Sequence, residues 1–316
     1  MMNAIDLQTI ADATNGQLLG KNNQIKNITI DSREVGLGDM FVAVKGEHDD
    51  GHGFVEMAAK KGAIAALVER QQAVSIPQLI VQDTRQALVD IAKLNRQMFK
   101  GKVLAITGSS GKTTSKNMLS GILSTSGNVC ATKGNFNNEI GLPLTMQAIN
   151  DSHEFAVLEM GAAKAGDIAY LADIAQPSAT AVTNIGVAHI EGFGSLEETA
   201  STKAAIYDAL PEEGWAVVNL DDDFSNFFVQ RLKTQKDNGR LLSFSMRSAK
   251  ANFFASDIRQ GESGLTFTMN INTDAEQQAI PIALNFLGQH NIYNALLAVA
   301  MAKTLDITND QVTQGL

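Results

Sequence analysis

Two periods of apolar and polar positions divide the chain. Short consecutive apolar runs at residues 103–107, 155–160, 180–184, 215–220 and 241–244 are each followed by helical spacing. Such runs suit strands covered on both faces, so they predict a mainly parallel sheet. Ahead of them lies a smaller series: helical spacing over 6–14, a strand-like 28–30, a turn at Gly36 and Gly38, a strand over 40–44, a helix over 54–61 and a strand over 63–68. The two series meet at Phe99-Lys100-Gly101, a basic and glycine break that places a boundary near residue 100. Residues 252–286 alternate with a period of two and predict antiparallel strands, and a helix over 291–303 packs back through Ile292, Leu296, Val299 and Ala300. The predicted class is α/β, with a small N-terminal unit and a larger sheet domain.

Composition narrows the function. A length of 316 residues accommodates two domains. Lys and Arg number 25 against 34 Asp and Glu, a formal charge of -9 that argues against nucleic acid or an anionic membrane as partner, so an anionic ligand must be gripped locally. The single cysteine, Cys130, excludes an internal disulfide and fits a reducing compartment. No stretch approaches the roughly eighteen apolar residues of a membrane span, and a soluble, untargeted protein is expected.

The first chemical signal follows the run at 103–107: Gly108-Ser109-Ser110-Gly111-Lys112-Thr113-Thr114, then a helical pattern starting near Ser115. Glycines let the backbone turn its amide hydrogens onto a phosphate, and the helix N-terminus adds partial positive charge. Lys112 supplies a charge for the outer phosphates and Thr113 a hydroxyl for magnesium, which makes the segment a nucleoside triphosphate cradle. It is a shortened variant, because Ile106 stands where the usual pattern has its first glycine.

Further candidates sit where other strands end, the place ligands occupy in such sheets. Glu159, in Glu159-Met160-Gly161, is either a magnesium ligand or a helix-capping carboxylate. His189 lies in a glycine-rich connection that suits a ligand as well as a core histidine. Residue chemistry alone makes Lys203, in a helix over 196–210, a solvated lysine. Asp221-Asp222-Asp223 reads as a ribose or metal site or as a solvated turn, and Gly288-Gln289-His290-Asn291 as donors to a base or as a helix cap.

Together these segments, with Gly134-Asn135-Phe136-Asn137-Asn138-Glu139-Ile140-Gly141-Leu142-Pro143 and Asn184-Ile185-Gly186, resemble the Mur ligases, in order along essentially the whole chain. The doubled asparagine, and Asp31-Ser32-Arg33-Glu34-Val35 with Gly38-Asp39-Met40-Phe41-Val42-Ala43, narrow the resemblance to the branch that joins D-alanyl-D-alanine to UDP-N-acetylmuramoyl-tripeptide. The resemblance implies a domain for the UDP-substrate over 1–100, a central ATP-binding domain with a phosphate loop over 101–313, and the start of a third domain at 314–316. It implies a cytoplasmic, monomeric amide ligase of peptidoglycan synthesis that uses ATP and Mg2+ and proceeds through an acyl phosphate.

By the same resemblance, Gly108 to Thr114 bind ATP with Asn291 near the adenine, and Ser32 and Arg33 receive the uridine diphosphate end. Lys112 neutralises the β and γ phosphates and Asn138 lies near the transferring phosphate or the substrate. Thr113 and Glu159 hold one magnesium; His189 and Lys203 hold a second, Lys203 as a carbamate. Because the family's third domain begins where this chain stops, the 316 residues alone are expected to bind nucleotide weakly and ligate little. Two other readings remain open: a sister ligase acting on another amino acid or on folate, and a nucleotide-binding module without ligase chemistry.

Overall fold

The computed structural model describes residues 2–46, 49–186 and 194–316. They form two compact units, Met1–Lys100 with Ile140–Ser152, and Gly101–Glu139 with His153–Leu316.

In the first unit a five-stranded sheet runs in the order Gln17–Leu19, Gln78–Ile80, Ala65–Val68, Asp39–Val42, Asn27–Thr29, parallel except for its first pair. Successive side chains of a strand face opposite sides, so Met40 and Val42 pack with Ile10, Leu88 and Ile91, while Phe41 and Ala43 pack with Val55 and Ala58. The helix Thr84–Met98 starts at Asp83, whose carboxylate accepts from the Arg85 and Gln86 amides. The helix Val55–Lys61 ends on Gly62, whose φ of 114° closes its last turn.

The pattern-based division assigned residues 140–152 to the second domain, whereas the helix Gly141–Gln147 packs on Thr84–Met98. Asn95 Nδ2 donates to the Met146 and Ile149 carbonyls (2.7 and 2.9 Å), and Gln147 Nε2 to that of Leu88 (3.1 Å). Apolar spacing predicts an element but not the core it joins.

The second unit carries a nine-stranded sheet among the described residues. Its order is Gln277–Leu284, Leu265–Asn272, Phe253–Gln260, Leu241–Ser245, Trp215–Asn219, Ala179–Val182, Lys102–Thr107, Phe155–Glu159, Val129–Ala131. The pairings are parallel from Val129–Ala131 across to Phe253–Gln260, and the last two are antiparallel, matching the period-two stretch. Helices Lys112–Ser124 and His290–Ala302 cover one face through Met118, Leu119, Ile122, Leu296 and Val299. Helices Asp167–Ala175 and Leu196–Asp208 pack against Lys102–Thr107 and Ala179–Val182.

The strand Lys102–Thr107 lies between the later strands Phe155–Glu159 and Ala179–Val182. The chain order reverses there, and a crevice opens at the carboxyl ends of the strands. The last helix, Asn309–Gly315, contains Gln314 and packs on Lys112–Ser124. Gln314 and Gly315 therefore continue this unit's packing, where the resemblance implied the start of a third domain.

Candidate active site

The loop leaving Thr107 occupies that crevice. Its helix begins at Lys112, three residues before the spacing predicted, because Gly111 takes a φ of 78° and turns the chain into the first helical turn. A Cβ on Gly111 would stand 2.4 Å from Asn294 Oδ1, and one on Gly108 still closer to Thr183 Oγ1, so both positions demand glycine. The turn after Ala179–Val182 buttresses the loop. Ser109 N donates to Asn184 O (2.9 Å), Ser110 N to Asn184 Oδ1 (3.1 Å) and Thr183 Oγ1 to Ser110 O (2.6 Å). The first amides of the helix have no acceptor within it, which leaves them available to an anion. Lys112 Nζ folds onto the carbonyls of Gly108 (2.8 Å) and Ser109 (3.4 Å), and burial draws its pKa below the ordinary lysine value against the opposing pull of Glu159.

Glu159 ends its strand one sheet position away and is 3% exposed. Thr113 Oγ1 donates to its Oε2 (2.8 Å), Asn137 Nδ2 to its Oε1 (2.9 Å), and its own amide donates to Thr132 Oγ1 (3.0 Å). Thr132 is fixed in turn by the buried Lys116, whose Nζ donates to the Thr132 carbonyl at 2.6 Å. The direct hydrogen-bond donors to the Glu159 oxygens are neutral, while the Lys112 ammonium interacts with the carboxylate through space. One acidic oxygen, a hydroxyl and space for phosphate oxygens form a donor set that fits magnesium, which takes one or two protein oxygens and keeps the rest for phosphate and water.

Lys112, Asn137, Asn138 and Gly161 also line a cavity of about 490 Å³, together with Lys164 and Lys203. Lys203 is 2% exposed, which corrects the solvated reading. Thr199, Ala200, Lys203, Ala204 and Tyr207 share the buried face of Leu196–Asp208. Desolvation, reinforced by repulsion from Lys112, brings the Lys203 ammonium down to about 8.

A model of the Mur ligase middle domain matches residues 106–302, and one of the Mur ligase family catalytic domain matches residues 24–96. The UDP-N-acetylmuramoyl-tripeptide--D-alanyl-D-alanine ligase of Escherichia coli K12 is 38% identical over 316 residues, spanning 100% of this chain and 68% of its own. The chain belongs to the Mur ligase family.

This Mur ligase is an ATP-dependent ligase of peptidoglycan precursor synthesis. A MurF structure from Acinetobacter baumannii superposes with a TM-score of 0.90 at 34% identity, covering 100% of this chain and 68% of that one. The MurF ligase of Thermotoga maritima, solved in complex with ADP, has a TM-score of 0.76 at 29% identity over 91% of this chain and 65% of that one.

Within the Mur ligase, Lys112, Thr113, Glu159, Asn138 and Lys203 gather around the loop and its cavity. His189 lies outside the described residues. Thr114 occupies the helix's first turn. Asn291 is buried at the start of His290–Ala302, donating to the Leu287 carbonyl (2.8 Å) and accepting from Asn294 (3.0 Å), whose Oδ1 receives the Ser115 hydroxyl (3.1 Å). Ser32 and Arg33 belong to the first unit. Ser32 is buried, and Arg33 is exposed and paired with Asp31 at 2.6 Å.

Asp221 and Asp222 are structural acceptors. Asp221 receives the Ser245 hydroxyl, the Met246 amide and the Tyr293 hydroxyl (2.6, 2.7 and 2.9 Å); Asp222 receives the Ile185 and Phe224 amides (2.7 and 2.9 Å). Sequence reasoning assigned no role to Asn137, although the Asn137-Asn138 doublet was in view, nor to Lys116, whose burial no local pattern signals.

Proposed function

We propose that this Mur ligase joins D-alanyl-D-alanine to UDP-N-acetylmuramoyl-tripeptide in the cytoplasm, the reaction for which its E. coli relative is named. The tripeptide's terminal carboxylate attacks the γ-phosphorus of ATP, forming an acyl phosphate and releasing ADP. The amine of D-alanyl-D-alanine then attacks the acyl carbon, and phosphate departs from the tetrahedral adduct as the amine gives up its proton. Such chemistry needs alignment and charge neutralisation more than a protein nucleophile.

The observation carrying the reading is the convergence of Lys112, Glu159 with Thr113, and Lys203 at one phosphate loop. Gly108 to Thr113 cradle the phosphates through backbone amides, and Lys112 exchanges its loop carbonyls for β and γ oxygens. Thr113 and Glu159 would hold a magnesium ion, which when bound neutralises phosphate charge. Lys203, whose depressed pKa favours the neutral amine, adds carbon dioxide through Nζ and loses a proton to become a carbamate, a second anionic ligand; His189 is assigned beside it. Asn138 orients the acceptor carboxylate, Asn291 holds the adenine side through Asn294, and Ser32 with Arg33 meets the uridine diphosphate end.

The test is ATP-dependent coupling of D-alanyl-D-alanine to the UDP-tripeptide, with competing amino acids offered. Lys112→Ala should lower turnover about 10²- to 10³-fold. Undiminished coupling would overturn the loop assignment, and preference for another acceptor would overturn the substrate.

A further inference from the structure

We infer that Asn137 is a positioning residue that fixes the carboxylate of Glu159 for a divalent cation. The inference rests on the proposed cation role of Thr113 and Glu159 and goes beyond it by assigning the group that orients them.

The two oxygens of Glu159 are treated differently. Oε2 faces the Thr113 hydroxyl, the side on which the loop lies, whereas Oε1 is held at 2.9 Å by the Asn137 side-chain amide. A carboxylate free to rotate presents either oxygen, or both, to a cation. Magnesium demands near-octahedral geometry and is best served by one oxygen in a set direction. A fixed amide donor on Oε1 leaves Oε2 as that oxygen.

Asn137 is itself immobilised. Its carbonyl accepts from Gly161 N at 2.8 Å, its amide donates to Asn135 O at 2.7 Å, and its side chain fills a notch beside Gly161. A Cβ at Gly161 would lie 2.9 Å from Asn137 Oδ1, so glycine two residues after Glu159 is what lets the amide reach the carboxylate. Asparagine is also specific to the task. Aspartate lacks the N–H and would set a second negative charge against Glu159, and serine is too short to span the gap.

The experiment uses the unaltered chain and measures affinity for a fluorescent ATP analogue in EDTA and across a magnesium titration. Asn137→Ala should raise the magnesium concentration for half-maximal effect about tenfold, as loss of an outer hydrogen bond to a metal ligand typically does, while affinity in EDTA stays within about twofold. Gly161→Ala, which displaces the amide without removing it, should reproduce the shift. It also guards against a folding defect peculiar to the first variant.

Glu159→Gln separates the two levels of the argument. If it leaves the magnesium dependence unchanged, the cation reading of Glu159 falls, and the role of Asn137 with it. If it abolishes the dependence while Asn137→Ala and Gly161→Ala leave the midpoint unmoved, only the role of Asn137 is overturned. Equal weakening in EDTA and in magnesium would mean that Asn137 touches the nucleotide itself, and would likewise overturn it.

Discussion

Two recesses flank the phosphate loop of the second unit, and they differ in the charged groups they bury. The cavity beside Asn138 and Gly161 holds about 490 Å³ and brings three lysines, Lys112, Lys164 and Lys203, to its wall beside the acids Glu139 and Asp167. The recess beside Ser110 and Gly111 holds about 420 Å³ and is lined by Asp221, Asp222 and the amides of Asn184, Asn219 and Asn294. In the second recess the acids are satisfied. Asp221 accepts three hydrogen bonds and Asp222 two, each at 2.6–2.9 Å, although burial still holds the Asp222 carboxyl above its usual range against its two amide donors. In the first, Lys203 is buried at a cost that shows in its lowered pKa. Both recesses bury charge at a cost, and in the second the acids' hydrogen bonds hold the loop's neighbours in place.

The largest test of that contrast is Lys203→Met. Ligation should fall at least about 100-fold, yet with carbon dioxide excluded, so that Nζ stays an uncarbamylated ammonium, the protein should gain about 2 kcal/mol at pH 7, because a buried charge gives way to an apolar chain of similar size. The sign follows from linkage. The folded ammonium titrates near 8 against an ordinary 10.5, so the unfolded chain binds more protons between those values and native stability rises with pH there. The variant's advantage is therefore full below pH 8 and vanishes towards 10.5, which urea unfolding at pH 7 and pH 10 would reveal. No gain at pH 7 would break the contrast.

Smaller effects belong to the other recess. Asp221→Asn removes the anionic acceptor of Ser245, Met246 and Tyr293, and should cost about 2 kcal/mol in the same unfolding measurement with little change in turnover. Tyr293→Phe removes one of those donors and should cost about 1 kcal/mol. A loss of ligation without a loss of stability in either variant would make this recess chemical as well.

The strand ends were legible in the sequence because their signals are local. Gly108 to Thr113 and Glu159 follow apolar runs, and the Mur ligase resemblance placed Asn138 and Lys203 beside them. Lys203 resisted reading from its own surroundings because alanine and threonine are spread around the helix Leu196–Asp208, so no apolar stripe marks the buried side. The Asp221 turn was ambiguous because its partners lie 24 and 72 residues away. Asn137 was hidden for a similar reason, since its bond to Glu159 depends on two strand ends meeting.

The helix Gly141–Gln147, seated on Thr84–Met98, makes the first unit discontinuous in the polypeptide. During synthesis on a ribosome, Asn95 and the Leu88 carbonyl emerge more than forty residues before their partners, the carbonyls of Met146 and Ile149 for the first and the Gln147 side-chain amide for the second. The amino-terminal sheet therefore waits, partly uncovered, while the nascent strand and loop of the nucleotide fold are being made. That interval ends once residue 152 has left the ribosome.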